Sequence, residues 1–176
     1  GDYIYRNGDV LTPKGEEFMV GLLLGDSCIT VDKRLSSSKY RISFCHGEKQ
    51  KDYFNKKYNL FDKYAIGNIY KNKSGYCDNF IYAAHLNISL PLHLLIDEYG
   101  IYKNNITKKF CDKITPFSLA IWIMDDGCLT KRTNGNEQYF YRLSTNRYSY
   151  ESNILFCQMF EDKFDLYPTI LFDKRS

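Results

Sequence analysis

The chain lacks the cysteine spacing that holds structural zinc. Its cysteines include no Cys-x-x-Cys pair, and its three histidines do not complete a zinc pattern. We therefore expect reduced thiols inside a cell rather than disulfides or structural zinc. The six cysteines are at positions 28, 45, 77, 111, 128 and 157.

A membrane span, a disordered composition and a strong charge excess are also missing. The 176 residues are enough for a substantial core, so we expect a soluble globular protein with no membrane partner. The net charge of +3 is only weak support for a nucleic-acid partner, because many ordinary proteins have similar values. The positions of the basic residues are more informative than their number.

The chain does contain an internal repeat. Asp-Ser-Cys-Ile-Thr at 26–30 returns one hundred positions later as Asp-Gly-Cys-Leu-Thr at 126–130. Further matches follow in the same order, with Tyr40, Arg41 and Ser43 returning one residue late as Tyr141, Arg142 and Ser144, and Asp62-Lys63 as Asp162-Lys163. We interpret the repeat as two subdomains related by pseudo-two-fold symmetry, at 1–113 and 114–176, with the second incomplete on the repeat's own period.

Each copy begins with the same helix-start signal. Thr12-Pro13 and Thr115-Pro116 place Thr at the N-cap and Pro at the first helical position. An apolar run follows each pair, so we expect helices over 13–25 and 116–126 that pack parallel at the pseudo-two-fold axis. Gly21 and Gly25 would allow close approach of the two backbones.

The segment after each helix alternates between polar and apolar residues. Residues 39–44 predict a half-buried antiparallel strand with Lys39, Arg41 and Ser43 on its outer face. The equivalent strand is expected over 138–145, with Tyr139, Tyr141 and Leu143 inward and Arg142 and Ser144 outward.

The remaining elements complete an α+β fold with an αββαββα order in each copy and helices on one face of an antiparallel sheet. We expect amphipathic helices over about 49–64 and 151–164, and strands near 66–73 and 169–172. The first copy alone continues, with a strand near 80–84 and a helix near 91–98. Residues 103–113 form a polar, basic connector.

The repeat places an aspartate at the end of each central helix. A helix C-terminus carries partial negative charge, so each carboxylate costs from a few tenths to about 1 kcal/mol there. Parallel packing would bring Asp26 and Asp126 together and add their repulsion. A bound divalent cation removes both penalties, and Mg²⁺ suits carboxylate ligands. Either aspartate alone would suggest an exposed helix terminator, and Asp125, opposite Gly25 in the repeat, is interpreted as a surface or helix-end residue.

These helices resemble a known family. Residues 19–27, MVGLLLGDS, and 119–127, LAIWIMDDG, are similar to the two motifs of single-chain LAGLIDADG homing endonucleases. The resemblance implies saddle-shaped sheets in the DNA major groove and Mg²⁺-dependent cleavage of both strands of a long double-stranded DNA target by one chain. It implies that Asp26 and Asp126 are catalytic, metal-binding acids. Many relatives are intron-encoded in organellar genomes, which favours an organelle, the mitochondrion before the plastid.

The chain departs from the family in its second half, which is expected to continue with another strand pair, a helix and a basic residue near the second site. For the first half, the resemblance implies a basic residue shortly before the second motif, and Lys103 is the candidate ahead of Lys108 and Lys109. It would stabilise charge on the phosphate or orient the attacking water. A solvated linker charge is the alternative for each lysine.

Seven basic residues are candidates for nucleic-acid contact. Lys39, Arg41 and Arg142 alternate outward on strands, as residues reading a DNA groove do. Lys33, Arg34, Lys131 and Arg132 follow the first strand of each copy, in predicted loops where phosphate contact is expected. The alternative is an ordinary exposed sheet face, which is polar in any case.

Two other functions remain open. One is a non-cleaving RNA-binding descendant, either an intron maturase or a structural component of an organellar ribonucleoprotein such as a ribosome, with intron or ribosomal RNA as the partner. The other is a catalytically inactive DNA-binding protein. Retention of Asp26 and Asp126 favours the enzyme, whereas the short second copy favours the alternatives.

Overall fold

In a computed structural model of the chain, the described residues are 5–6, 10–32, 39–61, 65, 67–73, 80–86, 93, 95, 105–132 and 137–172. Two helices, α1 (Pro13–Leu24) and α4 (Pro116–Asp126), occupy the centre. Thr12 Oγ1 accepts a hydrogen bond from the Gly15 amide at 3.0 Å, and Thr115 Oγ1 accepts from the Ser118 amide at 3.2 Å. Both predicted N-caps are confirmed.

The two central helices pack side by side and parallel, as predicted. At their N-terminal ends, Ser118 Oγ donates to the Glu17 carbonyl at 2.8 Å. Halfway along, a Cβ added to Gly21 would lie 2.7 Å from the Ser118 carbonyl oxygen and 2.8 Å from Ile121 Cβ. At their C-terminal ends, Gly25 lies against Asp125. Equivalent ends therefore meet, and glycine permits the close approach.

The first half continues into a four-stranded antiparallel sheet. Its order is β3–β4–β6–β5, with bounds β3 Ser27–Asp32, β4 Lys39–Gly47, β5 Tyr70–Lys73 and β6 Phe80–Leu86. A short 3₁₀ turn (Glu48–Gln50) leads from β4 into α2 (Lys51–Leu60), which packs on this sheet. The predicted alternation is confirmed, since Ile42 and Phe44 are buried while Arg41 and Ser43 are only half-buried.

Several boundaries differ from the prediction. β4 extends to Gly47, which places His46 on the buried face of the strand. β5 begins at Tyr70 rather than near Ile66, because Gly67 has a positive φ of 73° that a strand does not contain. Of the helix predicted near 91–98, only His93 and Leu95 are described, and both are helical.

The connector contains a short helix that the sequence did not predict, α3 (Lys108–Lys113). Thr107 caps its start, and Phe110 and Cys111 are buried beneath it. Lys163 caps its end by donating from Nζ to the carbonyl oxygens of Asp112 and Ile114, at 2.8 and 2.5 Å. This polar segment therefore forms a helix that is capped at both ends.

The second half forms a two-stranded ribbon, β7 (Gly127–Arg132) with β8 (Gln138–Leu143), followed by α5 (Tyr150–Phe164). Thr30 pairs with Arg41 in the first half, whereas Thr130 pairs with Phe140 in the second. The second hairpin is thus one residue shorter, and Arg142 occupies the place of Ser43 rather than that of Arg41. The repeat had paired Arg41 with Arg142, and the strand register shows that this pairing is wrong.

The inward burial predicted for Tyr139 and Tyr141 is also wrong. Their side chains are 61% and 69% exposed. In the first half, the equivalent face is covered, with the His93 ring 4.1 Å from that of Tyr40. In the second half, α5 packs against α3 and sets Phe156 4.8 Å from Trp122 of α4, so no described element covers this face of the ribbon.

The strand predicted at 169–172 does not form. These residues have no regular secondary structure, and Leu171 and Phe172 are mostly exposed. Within the described residues no strand lies beside them to complete a ladder, although Phe172 stacks on Tyr150 with ring centroids 5.9 Å apart. None of the described helices is both long and apolar enough to span a membrane.

We expect Gly21→Val to destabilise the chain by about 1–3 kcal/mol, because its side chain would enter the tight contact between α1 and α4. Gly47→Val is the matched control, since a Cβ at Gly47 meets no atom within 4 Å. Urea unfolding of both variants measures the difference. Equal stabilities would contradict the close helix contact.

Candidate functional site

Two carboxylates lie where the central helices end. Asp26 follows α1 and Asp126 ends α4, and both side chains are partly exposed. Burial raises the pKa of Asp26 to about 6, with the nearby charges of Asp125 and Asp126 contributing. Burial also raises the pKa of Asp126, while Arg147 opposes the rise. The two acids that the repeat singled out therefore lie near enough for the charge of Asp126 to raise the pKa of Asp26.

Asp125 lies inside this site, and its interpretation as a surface residue was wrong. Its side chain is fully buried and receives hydrogen bonds from Lys57 Nζ at 2.5 Å and Tyr53 Oη at 2.8 Å, both to Oδ1. Its Oδ2 accepts from the Asp26 amide at 3.1 Å. Gly25 makes room for it, because a Cβ there would lie 2.6 Å from Cβ and Cγ of Asp125. The exchange of Gly for Asp between the copies was the signal in the sequence.

His46 and Lys57 complete the buried part of the site. Lys57 Nζ lies 3.1 Å from His46 Nε2, and His46 Nδ1 lies 3.5 Å from Asp26 Oδ2. Burial, followed by the charge of Lys57, lowers the pKa of His46 to about 4, so the imidazole is neutral near pH 7. Burial lowers the pKa of Lys57, whereas Asp125 opposes this. Sequence analysis missed both residues.

The second half contributes an arginine that sequence analysis also missed. The Arg147 guanidinium donates to the carbonyl oxygens of Leu23, Leu24 and Ser27 at 2.5, 3.0 and 3.0 Å. Tyr148 Oη donates to the Leu24 carbonyl at 3.2 Å. These donors satisfy carbonyls at the C-terminal end of α1, where a cation is favourable.

The charges around Asp26 fit a divalent cation. Three carboxylates, Asp26, Asp125 and Asp126, interact with two cationic side chains, Lys57 and Arg147, which leaves one negative charge uncompensated. Ligand atoms of Asp26, His46 and Asp125 lie within 4.8 Å of one another. Carboxylate oxygens are the ligands that Mg²⁺ and Ca²⁺ prefer, so the carboxylate of Asp26 in this group could bind such an ion.

The predicted nucleic-acid contacts are only partly described. Arg41 lies half-buried on β4, Arg142 is exposed on β8, and Lys131 pairs with Glu137 at 2.5 Å. Lys131 and Arg132 end β7 instead of lying in the loop beyond it. Lys108 and Lys109 are exposed on α3. The predictions for Lys33, Arg34 and Lys103 lie outside the described residues, as do the side chains of Lys39 and Arg132.

The sequence model of the LAGLIDADG DNA endonuclease family matches residues 16–176, and the chain belongs to this family. Two curated relatives are the Protein RecA of Mycobacterium gastri, 29% identical over 130 residues, and that of Mycolicibacterium chitae, 30% identical over 127 residues. These alignments cover 73% and 69% of this chain. The chain spans only 30% and 28% of the length of those relatives.

Solved structures confirm the fold. The homing endonuclease I-WcaI bound to its DNA recognition sequence matches with a TM-score of 0.74 and 23% identity, covering 93% of this chain and 73% of that one. I-SmaMI bound to an uncleaved DNA target in the presence of calcium ions matches with a TM-score of 0.55 and 12% identity, covering 95% and 77%. The predicted α+β endonuclease-like architecture is therefore correct.

We expect Lys57→Met to destabilise the protein by about 3–5 kcal/mol, because it leaves the buried Asp125 carboxylate without its cation. Lys56→Met, on the same helix but exposed, should change stability by less than about 0.5 kcal/mol. Adding Asp125→Asn to Lys57→Met should recover part of the loss. Chemical unfolding of the three variants decides, and equal effects at Lys56 and Lys57 would contradict the buried pair.

Ionisation of Asp26 should weaken the metal-free fold. Its pKa of about 6 in the folded chain exceeds the unfolded value near 3.8, so its contribution to stability is present below about pH 4 and lost as the pH rises through 6. After allowance for solvent screening of this partly exposed group, we expect Asp26→Asn to gain about 1 kcal/mol relative to the parent chain between pH 4 and 7. Urea unfolding with EDTA measures this, and a pH-independent difference would contradict it.

Proposed function

We propose that the chain is a site-specific endonuclease that hydrolyses both strands of double-stranded DNA with divalent metal ions, Mg²⁺ in the cell. The observation that carries the proposal is the position of Asp26 and Asp126 at the ends of the parallel central helices, where the charge of Asp126 raises the pKa of Asp26 and one negative charge is left uncompensated. Membership of the LAGLIDADG DNA endonuclease family supports it. The DNA in the structure of I-WcaI supports a duplex partner.

The acids would supply the ligands for the reaction. When bound, divalent ions activate a water and stabilise the leaving oxygen of the phosphodiester. Asp26 is held by Asp125 through its amide, so its carboxylate is attached to a fixed backbone. Arg147 occupies the carbonyls at the end of α1 and thereby keeps their partial negative charge away from the incoming phosphate.

DNA contact is proposed for the outer faces of β4 and β8. Arg41 and Arg142 lie on these faces, two positions apart in the strand register, and Arg is well suited to guanine in the major groove. Lys33, Arg34, Lys39, Lys131 and Arg132 are proposed for phosphate or groove contact. Lys103 remains the proposed basic residue of the first half. An organellar location, mitochondrial rather than plastid, rests on the family resemblance alone.

One observation favours RNA binding as a second candidate function. The ribbon of the second half exposes Tyr139, Phe140 and Tyr141. Exposed aromatic rings on a strand can stack on unpaired bases of RNA. An intron maturase or a ribonucleoprotein component would use such a surface without cleaving DNA.

We expect Asp126→Asn to lower Mg²⁺-dependent cleavage by at least about a hundred-fold, close to 3 kcal/mol in the barrier, because it removes a metal ligand but little volume. Asp26→Asn should lower cleavage by a similar factor, and both variants should still bind DNA. Asp112→Asn, exposed on α3, is the matched control. The assay selects cleaved members of a randomised duplex library and then follows the selected target in Mg²⁺.

Cleavage that survives the loss of both acids would refute the catalytic assignment. Tight binding of structured RNA, with no cleavage of any duplex by the parent chain, would favour the second candidate instead. Both results come from the same purified preparations.

A further inference from the structure

Asp26 and three buried side chains form a cyclic arrangement of polar contacts, called the ring below. The Asp26 amide donates to Asp125 Oδ2 at 3.1 Å, and the Asp26 carboxylate faces His46 Nδ1 at 3.5 Å. Lys57 joins the other two residues, with Nζ 2.5 Å from Asp125 Oδ1 and 3.1 Å from His46 Nε2. The side chains of Asp125, His46 and Lys57 are at most 1% exposed, so water contributes little to the ring.

The ring fixes the direction of each hydrogen bond. A charged Lys57 ammonium is only a donor, so His46 Nε2 must accept from it. A neutral imidazole then carries its proton on Nδ1. Nδ1 is buried and makes no hydrogen bond within the described residues, and Asp26 Oδ2 lies 3.5 Å from it. We therefore expect the N–H to point towards this carboxylate, although the Gln50 side chain also interacts with the His46 ring.

Among the described residues, the second acid has no such ring. The residue that corresponds to Asp125 in the other helix is Gly25, which has no side chain that could reach Asp126. Continuing the strand register past Leu143 places Thr145, not a histidine, where His46 stands in the first half. Asp126 interacts with the charge of Arg147 instead.

We propose that His46, held in one tautomer by Lys57, is a positioning residue that orients the Asp26 carboxylate for metal binding and does so for this acid alone. The inference rests on the proposed function, because it assigns Asp26 a metal to bind. Hydrogen-bond partners of metal ligands fix ligand orientation, and their loss typically lowers metal affinity by about 10–100-fold. His46 thereby acts on the ion without touching it.

The test compares two substitutions of similar size. The side-chain nitrogen of Asn can take the place of imidazole Nδ1, whereas that of Gln reaches the place of Nε2. We expect His46→Asn to retain Mn²⁺ affinity within a few-fold and His46→Gln to lose about ten-fold or more. Mn²⁺ binding to the purified full chain is followed by electron paramagnetic resonance. His85→Gln, on β6, is the matched control and should bind Mn²⁺ like the parent chain.

A second measurement needs no metal. Nitrogen-15 spectra of the histidine rings report the tautomer, and the signal that vanishes in His46→Asn belongs to His46. We expect this signal to show a protonated Nδ1. A protonated Nε2, equal loss of Mn²⁺ in the Asn and Gln variants, or no loss in either would overturn the positioning role. A parent chain that binds no Mn²⁺ would instead count against the proposed function. The tautomer of His46 would in that case still show in which direction the hydrogen bonds of the ring run.

Discussion

The close parallel contact between α1 and α4 is the constraint on which the site depends. At Gly21 the helices approach so tightly that even a methyl group would overlap the Ser118 carbonyl and Ile121. Parallel packing sets the two negative helix ends side by side, and each ends in or beside an aspartate. The same contact that buries apolar surface therefore concentrates negative charge. Fold stability and the proposed affinity for a cation therefore depend on the same helix contact.

Burial of charge beneath the acids follows from this contact. Asp125 crosses from the second half into the first, where Lys57 neutralises it and Tyr53 adds a hydrogen bond. Such a buried pair contributes little net stability, because the loss of hydration offsets most of the attraction. Its effect is geometric, since it ties α2 of the first half to α4 of the second directly below Asp26. The proposed metal site thus lies next to a buried, hydrogen-bonded ion pair.

Local sequence was sufficient for the features that depend on local chemistry. The N-caps at Thr12 and Thr115, the central helices and β4 all follow from capping and alternation within a few residues. The position of Asp26 and Asp126 followed from the repeat. Alternation also assigned the correct face to Tyr139 and Tyr141, but it could not show that no described element covers that face.

The residues that were missed depend on contacts between distant segments. Asp125 looked like a surface residue because its burial is created by the missing side chain of Gly25, one hundred positions away. His46 lay beyond the predicted strand, and Lys57 looked like an ordinary polar residue of the predicted helix, until the fold placed His46 beside Asp26 and Lys57 beside His46. The strand register could not be predicted either. The second hairpin is one residue shorter, so Arg142 is not equivalent to Arg41.

The difference between Gly25 and Asp125 also determines whether one half could replace the other. A symmetric pair of first halves would set glycine against glycine and leave two buried lysines without a carboxylate. A symmetric pair of second halves would force two buried carboxylates against each other with no lysine and no space. Neither half can therefore replace the other at this contact. The buried Lys57–Asp125 pair requires two unlike halves.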